Sequence, residues 1–235
     1  MRWGAVIVAA GRGTRLGGPK QFLELAGLPM AGWSIQTFAR MPEVAELVVA
    51  TEPESIEPMR ALFARVAPER GPAIVCGGAT RQQSVYAGLR ALSVQCDGVF
   101  IHDGARPLVL ADDVRAGMRE VRLGRASLLA TPVVDTIKHV DPGSMHVCAT
   151  LDRATLWAAQ TPQFALAADL RAAHERALHD GFEATDDAAL LERAGVEVVV
   201  VPSTSENFKV TLPADVARAQ AILAWSAAGA QSKGG

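Results

Sequence analysis

The sequence has few aromatic residues, few cysteines and no excess of charge of either sign. Aromatic residues make up 5% of its 235 residues, so we do not expect platforms on which nucleic-acid bases stack. The 23 basic and 25 acidic residues give a net charge of −2, which argues against a broad nucleic-acid surface but allows a local cluster of cations. Three cysteines that lie far apart exclude a zinc ribbon and a disulfide framework, and they are typical of a reducing compartment.

Long hydrophobic runs are also missing. The runs Ala5–Ala10 and Val196–Val201 have six residues each, whereas a membrane-spanning helix needs about 20. We therefore expect a cytoplasmic protein with no targeting segment and no membrane contact. A chain of this length buries roughly 70% of its unfolded surface, so it needs neither disulfides nor a structural metal in order to fold.

What the sequence does contain is an alternation of short apolar runs with longer amphipathic stretches. The apolar runs predict strands that are covered on both faces, over Ala5–Ala10, Ala45–Ala50, Ala73–Cys76, Gly98–His102, Ser127–Val133 and Val196–Val201. The amphipathic stretches predict helices over Met30–Arg40, Ser55–Val66, Gln82–Leu92, Ala111–Leu123, Ala165–Asp180, Asp186–Ala194 and Pro213–Trp225. This alternation predicts one α/β domain over residues 1–235, with a mostly parallel sheet between two layers of helices.

One segment, at residues 134–153, breaks the alternation. It has no helical period, and its extended pieces flank the sequence Asp141-Pro142-Gly143-Ser144, which is typical of a tight turn. We interpret it as a β-hairpin arm that projects from the core and contacts a partner subunit. A simple surface loop is the alternative.

The loop between Ala9 and Lys20 follows the first predicted strand and combines glycines with cations. Its glycines allow a sharp turn and close approach to a ligand, and successive backbone amides in such a loop can bind phosphate oxygens. Arg12, Arg15 and Lys20 bring three positive charges into nine residues. The pattern favours a polyphosphate ligand over the alternative, a solvated basic loop.

Two common phosphate-binding motifs do not fit this loop. The dinucleotide fingerprint needs a third glycine where the sequence has Leu16, and it needs a helix that Pro19 would interrupt. A Walker loop ends in Gly-Lys-Ser or Gly-Lys-Thr, whereas this loop ends in Gly18-Pro19-Lys20-Gln21.

Several motifs, taken in order, resemble those of one enzyme family. The loop itself reads Ala9-Ala10-Gly11-x-Gly13-x-Arg15 followed by Pro19-Lys20-Gln21-Phe22. Further motifs are Gly77-Gly78-Ala79-Thr80-Arg81-Gln82-Gln83-Ser84-Val85, His102-Asp103-Gly104-Ala105-Arg106-Pro107, Asp135-Thr136-Ile137-Lys138, Leu151-Asp152-Arg153, Thr161-Pro162-Gln163-Phe164, Thr185-Asp186-Asp187-Ala188 and Asn207-Phe208-Lys209-Val210-Thr211. The chain is similar to the methylerythritol phosphate cytidylyltransferases of the non-mevalonate isoprenoid pathway, over nearly its whole length.

The resemblance implies a Rossmann-like three-layer α/β/α nucleotidyltransferase fold with a projecting β-hairpin arm. It also implies the reaction, in which a phosphate oxygen of methylerythritol phosphate attacks the α-phosphorus of CTP and pyrophosphate leaves. A phosphate monoester has a second pKa of about 6, so this nucleophile is already ionised and needs no general base. Catalysis would rest on positioning and on positive charge from Lys, Arg and Mg²⁺.

The resemblance assigns roles to individual residues and implies a homodimer in which the arm completes the partner's site. The catalytic residues are Arg15, Lys20 and Lys209. The nucleotide-binding residues are Ala9, Ala10, Gly11, Gly13, Gly78, Arg81 and Ser84. The substrate-binding residues are Arg106, Thr136, Arg153, Thr161 and Thr185, and Asp103 is the Mg²⁺ ligand. Some relatives have an acidic residue where this chain has Ala79, which bears on how the base is recognised.

Local sequence also supports structural roles for some motif residues. Thr80 and Gln83 have the spacing of a capping box, and Asp186 is placed to begin a helix. His102 is expected to pack or to form hydrogen bonds rather than to act as a base.

Other functions remain open from the residues alone. The same fold could use another acceptor, such as ribitol 5-phosphate, or transfer a guanylyl group, although relatives that do so have two early glycines where this chain has Ala9-Ala10. An NAD(P)-dependent oxidoreductase is a second class, opposed by the misplaced third glycine. A non-catalytic interaction domain would leave the cations at the strand ends unexplained.

Overall fold

A computed structural model describes residues 1–11, 13 and 18–231 of the chain. Its strands are β1 (Trp3–Ala9), β2 (Glu24–Leu25), β3 (Leu28–Pro29), β4 (Val44–Thr51), β5 (Ala73–Cys76), β6 (Gly98–Asp103), β7 (Ala126–Pro132), β8 (Lys138–Val140), β9 (Val147–Thr150), β10 (Trp157–Leu166) and β11 (Val198–Pro202). Its α-helices are α1 (Met30–Ala39), α2 (Ile56–Val66), α3 (Arg81–Ala91), α4 (Ala111–Arg122), α5 (Ala167–Asp180), α6 (Asp187–Arg193) and α7 (Pro213–Gln231).

Seven of these strands form one sheet in the order β11-β7-β10-β6-β1-β4-β5. The register pairs β1 with β4 and β6 in parallel, β4 with β5 in parallel and β7 with β11 in parallel. β10 alone runs antiparallel to both of its neighbours, β6 and β7. The sheet is therefore mostly parallel, as the sequence predicts.

The two faces of the sheet are covered by different helices. Along β1, side chains alternate between the faces: Trp3, Ala5 and Ile7 pack in the core formed with α1, α2 and α4. Val6 points the other way, into the core formed with α3, α5 and α6. Since successive residues of a strand face opposite sides, a strand covered on both faces must be apolar throughout. The three-layer α/β/α prediction is confirmed.

One strand of the sheet, β10, is absent from the prediction. Its central residues Gln160, Thr161, Pro162 and Gln163 are mostly polar and include a proline, which is typical of a loop. They are nevertheless buried, because the polar side chains form hydrogen bonds inside the protein. The predicted helix over Ala165–Asp180 is wrong at its start, because α5 begins at Ala167 and the two preceding residues belong to β10.

The arm contains the predicted hairpin rather than an irregular loop. β8 and β9 pair antiparallel, and the Asp141 carboxylate accepts hydrogen bonds from the backbone amide and the hydroxyl of Ser144, at 2.7 and 2.6 Å. Apolar side chains of the arm are exposed to solvent: Val134 is 77% exposed and Val147 is 60% exposed. The division into one domain with an arm at residues 134–153 stays a prediction.

A separate small core contains Leu25 of β2 and Leu223 of α7, together with Val210. The apolar face predicted for α7 is thereby confirmed, although the helix continues to Gln231 rather than ending at Trp225. Within residues 1–11, 13 and 18–231, no helix is both long and apolar enough to cross a membrane.

Candidate active site

A cavity of about 1000 Å³ lies at the carboxyl ends of β1, β4, β5 and β6. Loops at this edge of a parallel sheet are the usual place for ligands in open α/β folds. The cavity brings together nine of the predicted site residues, namely Ala9, Ala10, Gly11, Lys20, Gly78, Arg81, Ser84, Asp103 and Lys209.

The first loop contributes backbone and one cation to the cavity. Gly13 has a φ of 61°, and a Cβ atom there would overlap the carbonyl oxygen of Gly18, so this turn requires glycine. Lys20 lines the cavity, and its Nζ donates a hydrogen bond to the carbonyl oxygen of Val210 at 3.2 Å. The predicted catalytic residue Arg15 lies outside the described residues, as does Arg12.

The second loop is held by the cap of α3. The Thr80 hydroxyl accepts a hydrogen bond from the Gln83 amide at 3.2 Å, and the Gln83 side chain accepts from the Thr80 amide, which confirms the capping box. Ser84 accepts from the Gly78 amide at 3.1 Å and donates to the Thr80 carbonyl at 2.9 Å. At Gly77 a Cβ atom would lie 2.6 Å from that of Ala10, so glycine allows the two loops to touch.

Cations converge on the carboxylate of Asp103, at the end of β6. Arg81 Nε donates to Oδ1 at 3.0 Å, and Lys209 Nζ donates to Oδ2 at 2.8 Å. Burial by itself would raise the pKa of Asp103, but the charges of Arg81 and Lys209 outweigh burial and hold it well below its usual value. Asp103 is therefore ionised at neutral pH, in a cavity that is also lined by the cations Lys20, Arg81 and Lys209 and by the acidic residues Glu52 and Glu54.

A buried chain of hydrogen bonds holds the backbone at Asp103. The Asp103 amide donates to the Thr161 hydroxyl at 2.9 Å, which lies 3.2 Å from His102 Nδ1. His102 Nε2 lies 3.0 Å from the carbonyl oxygen of Arg106, which can only accept, so Nε2 carries the proton and Nδ1 accepts from Thr161. Burial lowers the pKa of His102 to about 4. The expectation that His102 packs and forms hydrogen bonds is confirmed.

Arg106 and Thr161, expected at the acceptor substrate, face inward and do not line the cavity. Arg106 Nη1 donates to the carbonyl oxygen of Asn207 at 2.8 Å, and the Asn207 side chain donates to the carbonyl oxygen of Thr161 at 2.9 Å. These contacts fix the segment that leads to Lys209.

Three other predicted residues lie on the surface, away from the cavity of this chain. Thr136 and Arg153 belong to the exposed arm, and Arg153 Nη1 donates to the carbonyl oxygen of Val134 at 2.9 Å. Thr185 is exposed just before α6, where Asp186 caps the helix as predicted by accepting from the Ala189 amide at 3.0 Å. Their roles stay predictions.

Two buried residues that support the site, Asp187 and Asn207, are not among the predicted site residues. Both are at most 1% exposed, and each occurs in a motif from which a neighbouring residue was chosen. The two adjacent acidic residues before a short helix could have predicted the inward position of Asp187. One of them, Asp186, caps the helix, and the next points into the protein. Asn207 offered no comparable signal.

Asp103 also bears on the expected metal. Across the described part of the chain, no three His, Cys, Asp or Glu side chains are grouped so as to hold a metal ion. Mg²⁺ keeps several waters and is commonly held by one or two carboxylates together with substrate phosphates. The ionised Asp103 carboxylate, beside the cations Arg81 and Lys209, fits that mode of binding.

The sheet, the glycine loops and the cation cluster together define a nucleotide-binding transferase of the three-layer α/β class. The family model for 2-C-methyl-D-erythritol 4-phosphate cytidylyltransferase (IspD) matches residues 4–225. The chain belongs to this family.

Individual relatives agree with this assignment. Enzymes of that name from Halalkalibacterium halodurans and Gloeobacter violaceus are 41% and 43% identical, and the alignments cover 95% and 93% of this chain and 98% and 94% of the relatives. The solved structure of 4-diphosphocytidyl-2C-methyl-D-erythritol synthase from Anaerococcus prevotii has a TM-score of 0.84 at 28% identity, over 94% of this chain and 96% of that chain. That of the cytidylyltransferase from Thermus thermophilus has a TM-score of 0.78 at 32% identity, over 94% and 98%.

Proposed function

We propose that the chain transfers the cytidylyl group of CTP to 2-C-methyl-D-erythritol 4-phosphate. The products are 4-diphosphocytidyl-2-C-methyl-D-erythritol and pyrophosphate, in the synthesis of isoprenoid precursors. The observation that carries the proposal is the convergence of Arg81 and Lys209 on Asp103 inside a nucleotide-sized cavity that Lys20 also lines. Family membership favours this reaction over the oxidoreductase and interaction-domain alternatives.

The reaction needs charge stabilisation rather than proton transfer. The attacking phosphate is already ionised near neutral pH, since its second pKa is about 6. His102 is a poor base for this step, because it is fully buried and its pKa is lowered to about 4. The chain's task is to bring two anionic substrates together and to offset the charge that develops on the α-phosphoryl group.

Different residues bind the triphosphate, stabilise the α-phosphoryl group and bind the cytosine base. Lys20, together with Arg15, binds the triphosphate, and Lys209 stabilises the α-phosphoryl group with a compact ammonium charge. The backbone of Gly77-Gly78 and the side chain of Ser84 form the floor against which the cytosine binds. Since the Ala79 amide already donates to Gln83 at 2.8 Å, Ala79 contributes to base recognition through the shape of its loop.

Mg²⁺ is the proposed metal, held by Asp103 and by substrate phosphate oxygens. When bound, it neutralises phosphate charge in the transition state. The Asp103 carboxylate already pairs with Arg81 and Lys209, so these cations must share it with the metal or turn toward the phosphates. We also propose that the enzyme works in the cytoplasm and requires no nucleic acid or membrane.

Pyrophosphate release tests the reaction directly. The purified enzyme is assayed with each of the four nucleoside triphosphates against methylerythritol phosphate, ribitol 5-phosphate and erythritol 4-phosphate, with Mg²⁺ or with EDTA. We expect release with CTP and methylerythritol phosphate, and loss of at least about 100-fold when the metal is removed. Greater release with ribitol 5-phosphate, or with GTP, would replace the proposed substrate, and no release from any pair would refute the transferase reaction.

Calorimetric titration of CTP tests the metal site without turnover. We expect Mg²⁺ to tighten CTP binding to the wild type and to have a much smaller effect on Asp103→Asn. Without metal, the variant should bind CTP more tightly than the wild type, because Asp103 no longer competes with phosphates for Arg81 and Lys209. An undiminished Mg²⁺ effect in Asp103→Asn would show that the metal binds elsewhere.

The exposed arm supports a homodimer with shared sites as a further part of the proposal. Val134 and Val147 on the arm, and Trp157 just beyond it, are 77%, 60% and 40% exposed, which leaves apolar surface that a partner could cover. Arg153 and Thr136 lie on the same arm, and neither is among the described residues that line the cavity of about 1000 Å³. An arm that reaches a second copy would bring these polar residues to its cavity.

A further inference from the structure

Arg81 is held between two carboxylates from different parts of the chain. Its Nε donates to Asp103 Oδ1 at 3.0 Å, and its Nη1 donates to Asp187 Oδ2 at 2.8 Å. Burial by itself would lower the pKa of Arg81, but the two carboxylates raise it above the usual value, so the guanidinium stays charged. Arg81 and Asp103 line the cavity, whereas Asp187 does not.

The Asp187 carboxylate also contacts a histidine, through the oxygen that does not bind Arg81. Its second oxygen, Oδ1, lies 3.2 Å from His174 Nε2, so each carboxylate oxygen has one partner. His174 is 2% exposed and stacks on Tyr86 with an interplanar angle of 10°. His174 lies on α5, Asp187 on α6 and Arg81 on α3, so one chain of contacts joins three helices to the cavity.

The first turn of α6, where Asp187 lies, is fixed by contacts to the sheet. The Gln163 side chain on β10 accepts from the Ala188 amide and donates to the Asp186 carboxylate, both at 2.8 Å. Asp187 therefore presents its carboxylate from a rigid position. A guanidinium whose two sides are both paired has little freedom to rotate, and its orientation in turn fixes Asp103 Oδ1.

We propose that Asp187, oriented by His174, is a positioning residue for the nucleotide site: it holds Arg81, and through Arg81 it sets the orientation of the Asp103 carboxylate. This inference rests on the proposed cytidylyl transfer. Neither Asp187 nor His174 touches the cavity, so their effect on CTP must pass through Arg81.

A double-mutant cycle tests this path, with CTP binding measured by calorimetry and KM measured for both substrates. We expect Asp187→Asn to weaken CTP binding by about 10-fold, within the range seen for residues of one ion-pair network, and to change the KM of methylerythritol phosphate by less than about 2-fold. In the Arg81→Ala background, Asp187→Asn should change CTP affinity by less than about 2-fold, because the residue through which it acts is gone.

His174 provides a second and milder test. His174→Phe keeps a ring against Tyr86 but removes the donor to Asp187, whereas His174→Gln keeps a donor. We expect weaker CTP binding in His174→Phe than in His174→Gln, and this comparison decides the inference if Asp187→Asn fails to fold. The matched control is Asp180→Asn, which breaks an ion pair between the same two helices, to Arg193 at 2.9 Å, and should leave CTP binding unchanged.

Three results would overturn the inference. They are unchanged CTP affinity in folded Asp187→Asn, an equal effect of Asp187→Asn with and without Arg81, and equal CTP affinity in His174→Phe and His174→Gln. If the wild type itself binds no CTP, the proposed function fails as well. If the wild type binds CTP and turns over, any of the three results refutes the positioning role alone.

Discussion

At the scale of single residues, Asp103 is the centre of the site's electrostatics. It attracts the same cations, Arg81 and Lys209, that a phosphate group would attract, and its pKa is held well below the usual value as a result. A phosphate that binds beside it must therefore compete with a carboxylate already in contact with those cations. Because the Asp103 carboxylate and the phosphate compete for Lys209, we expect the reaction rate to depend strongly on the positive charge of this residue.

We predict that Lys209→Ala lowers kcat by about 100-fold or more, as is typical when one group that stabilises transition-state charge is removed. Thermal stability should change little, because Lys209 is partly exposed and Asp103 keeps its contact with Arg81. Steady-state kinetics with pyrophosphate detection and a melting curve check both parts.

The control for this prediction is Arg60→Ala. It removes an exposed cation that pairs only at the surface, with Glu57 at 3.5 Å, and it lies outside the cavity. Lys209→Arg, which keeps the charge but changes its shape, should be intermediate between Lys209→Ala and the wild type. Wild-type turnover in Lys209→Ala would remove this residue from the mechanism.

The role of a residue could be predicted when the residue belongs to a recognisable motif, but not when the role depends on partners that are distant in sequence. Asp103 and Lys209 occur in motifs that could be recognised, and both line the cavity. Asp187 and Asn207 act through partners that are distant in sequence, 106 residues away for Asp187 and Arg81. Such contacts leave no periodic pattern, so the sequence marks the motif without showing which of its residues turns inward.

At the scale of elements, strand and helix positions could be predicted where hydrophobic patterns are strong. The predicted ends of β4, β5 and β6 lie within one residue of those observed. The sequence does not predict β10, because the burial of this strand depends on hydrogen bonds of its polar side chains rather than on an apolar pattern. The cap of α3 was predicted because capping depends only on residues close in sequence.

We predict that Thr80→Ala lowers the free energy of unfolding by about 1 kcal/mol, since the Gln83 amide loses its acceptor at the start of α3. Thr80→Ser keeps a hydroxyl in the same place and should lose much less. Denaturant titration of the three proteins measures the difference. Equal stability of the Ala and Ser variants would mean that the hydroxyl does not stabilise the helix start.

At the scale of the whole molecule, the near-zero net charge conceals how the charges are distributed. The net charge of −2 coexists with a cavity in which Arg81 and Lys209 converge on Asp103, and which Lys20, Glu52 and Glu54 also line. Composition therefore argues against a broad nucleic-acid surface but carries no information about a triphosphate site. In the proposed dimer, Arg153 on the arm of one subunit would add a further cation to the cavity of the other.

Mixing two inactive variants tests the shared site. If Lys20 of one subunit works with Arg153 of the other, a heterodimer of Lys20→Ala and Arg153→Ala has one site with both residues intact. Equal mixing with full exchange should restore about a quarter of wild-type activity, since half of the dimers are mixed and each has one good site. Sedimentation and differential tags confirm the dimer and the exchange.

The matched control is the double variant Lys20→Ala/Arg153→Ala mixed with the wild type. With shared sites, every mixed dimer is inactive and activity falls to about a quarter, whereas with unshared sites it falls only to about half. No recovery from the two single variants, despite demonstrated heterodimers, would contradict the shared site.

β10 has a consequence for how the chain can change in evolution. It begins beside the arm, where Trp157 pairs with Pro132, and continues to Thr161, which holds the Asp103 amide, and to Gln163, which holds α6. From Ala159 to Gln163 the register of β10 with β7 is irregular, and this irregular stretch brings Thr161 and Gln163 to their partners, so a residue added or lost there would displace both contacts. The arm's tip is thus free to vary in length, while the strand that connects it to the cavity is not.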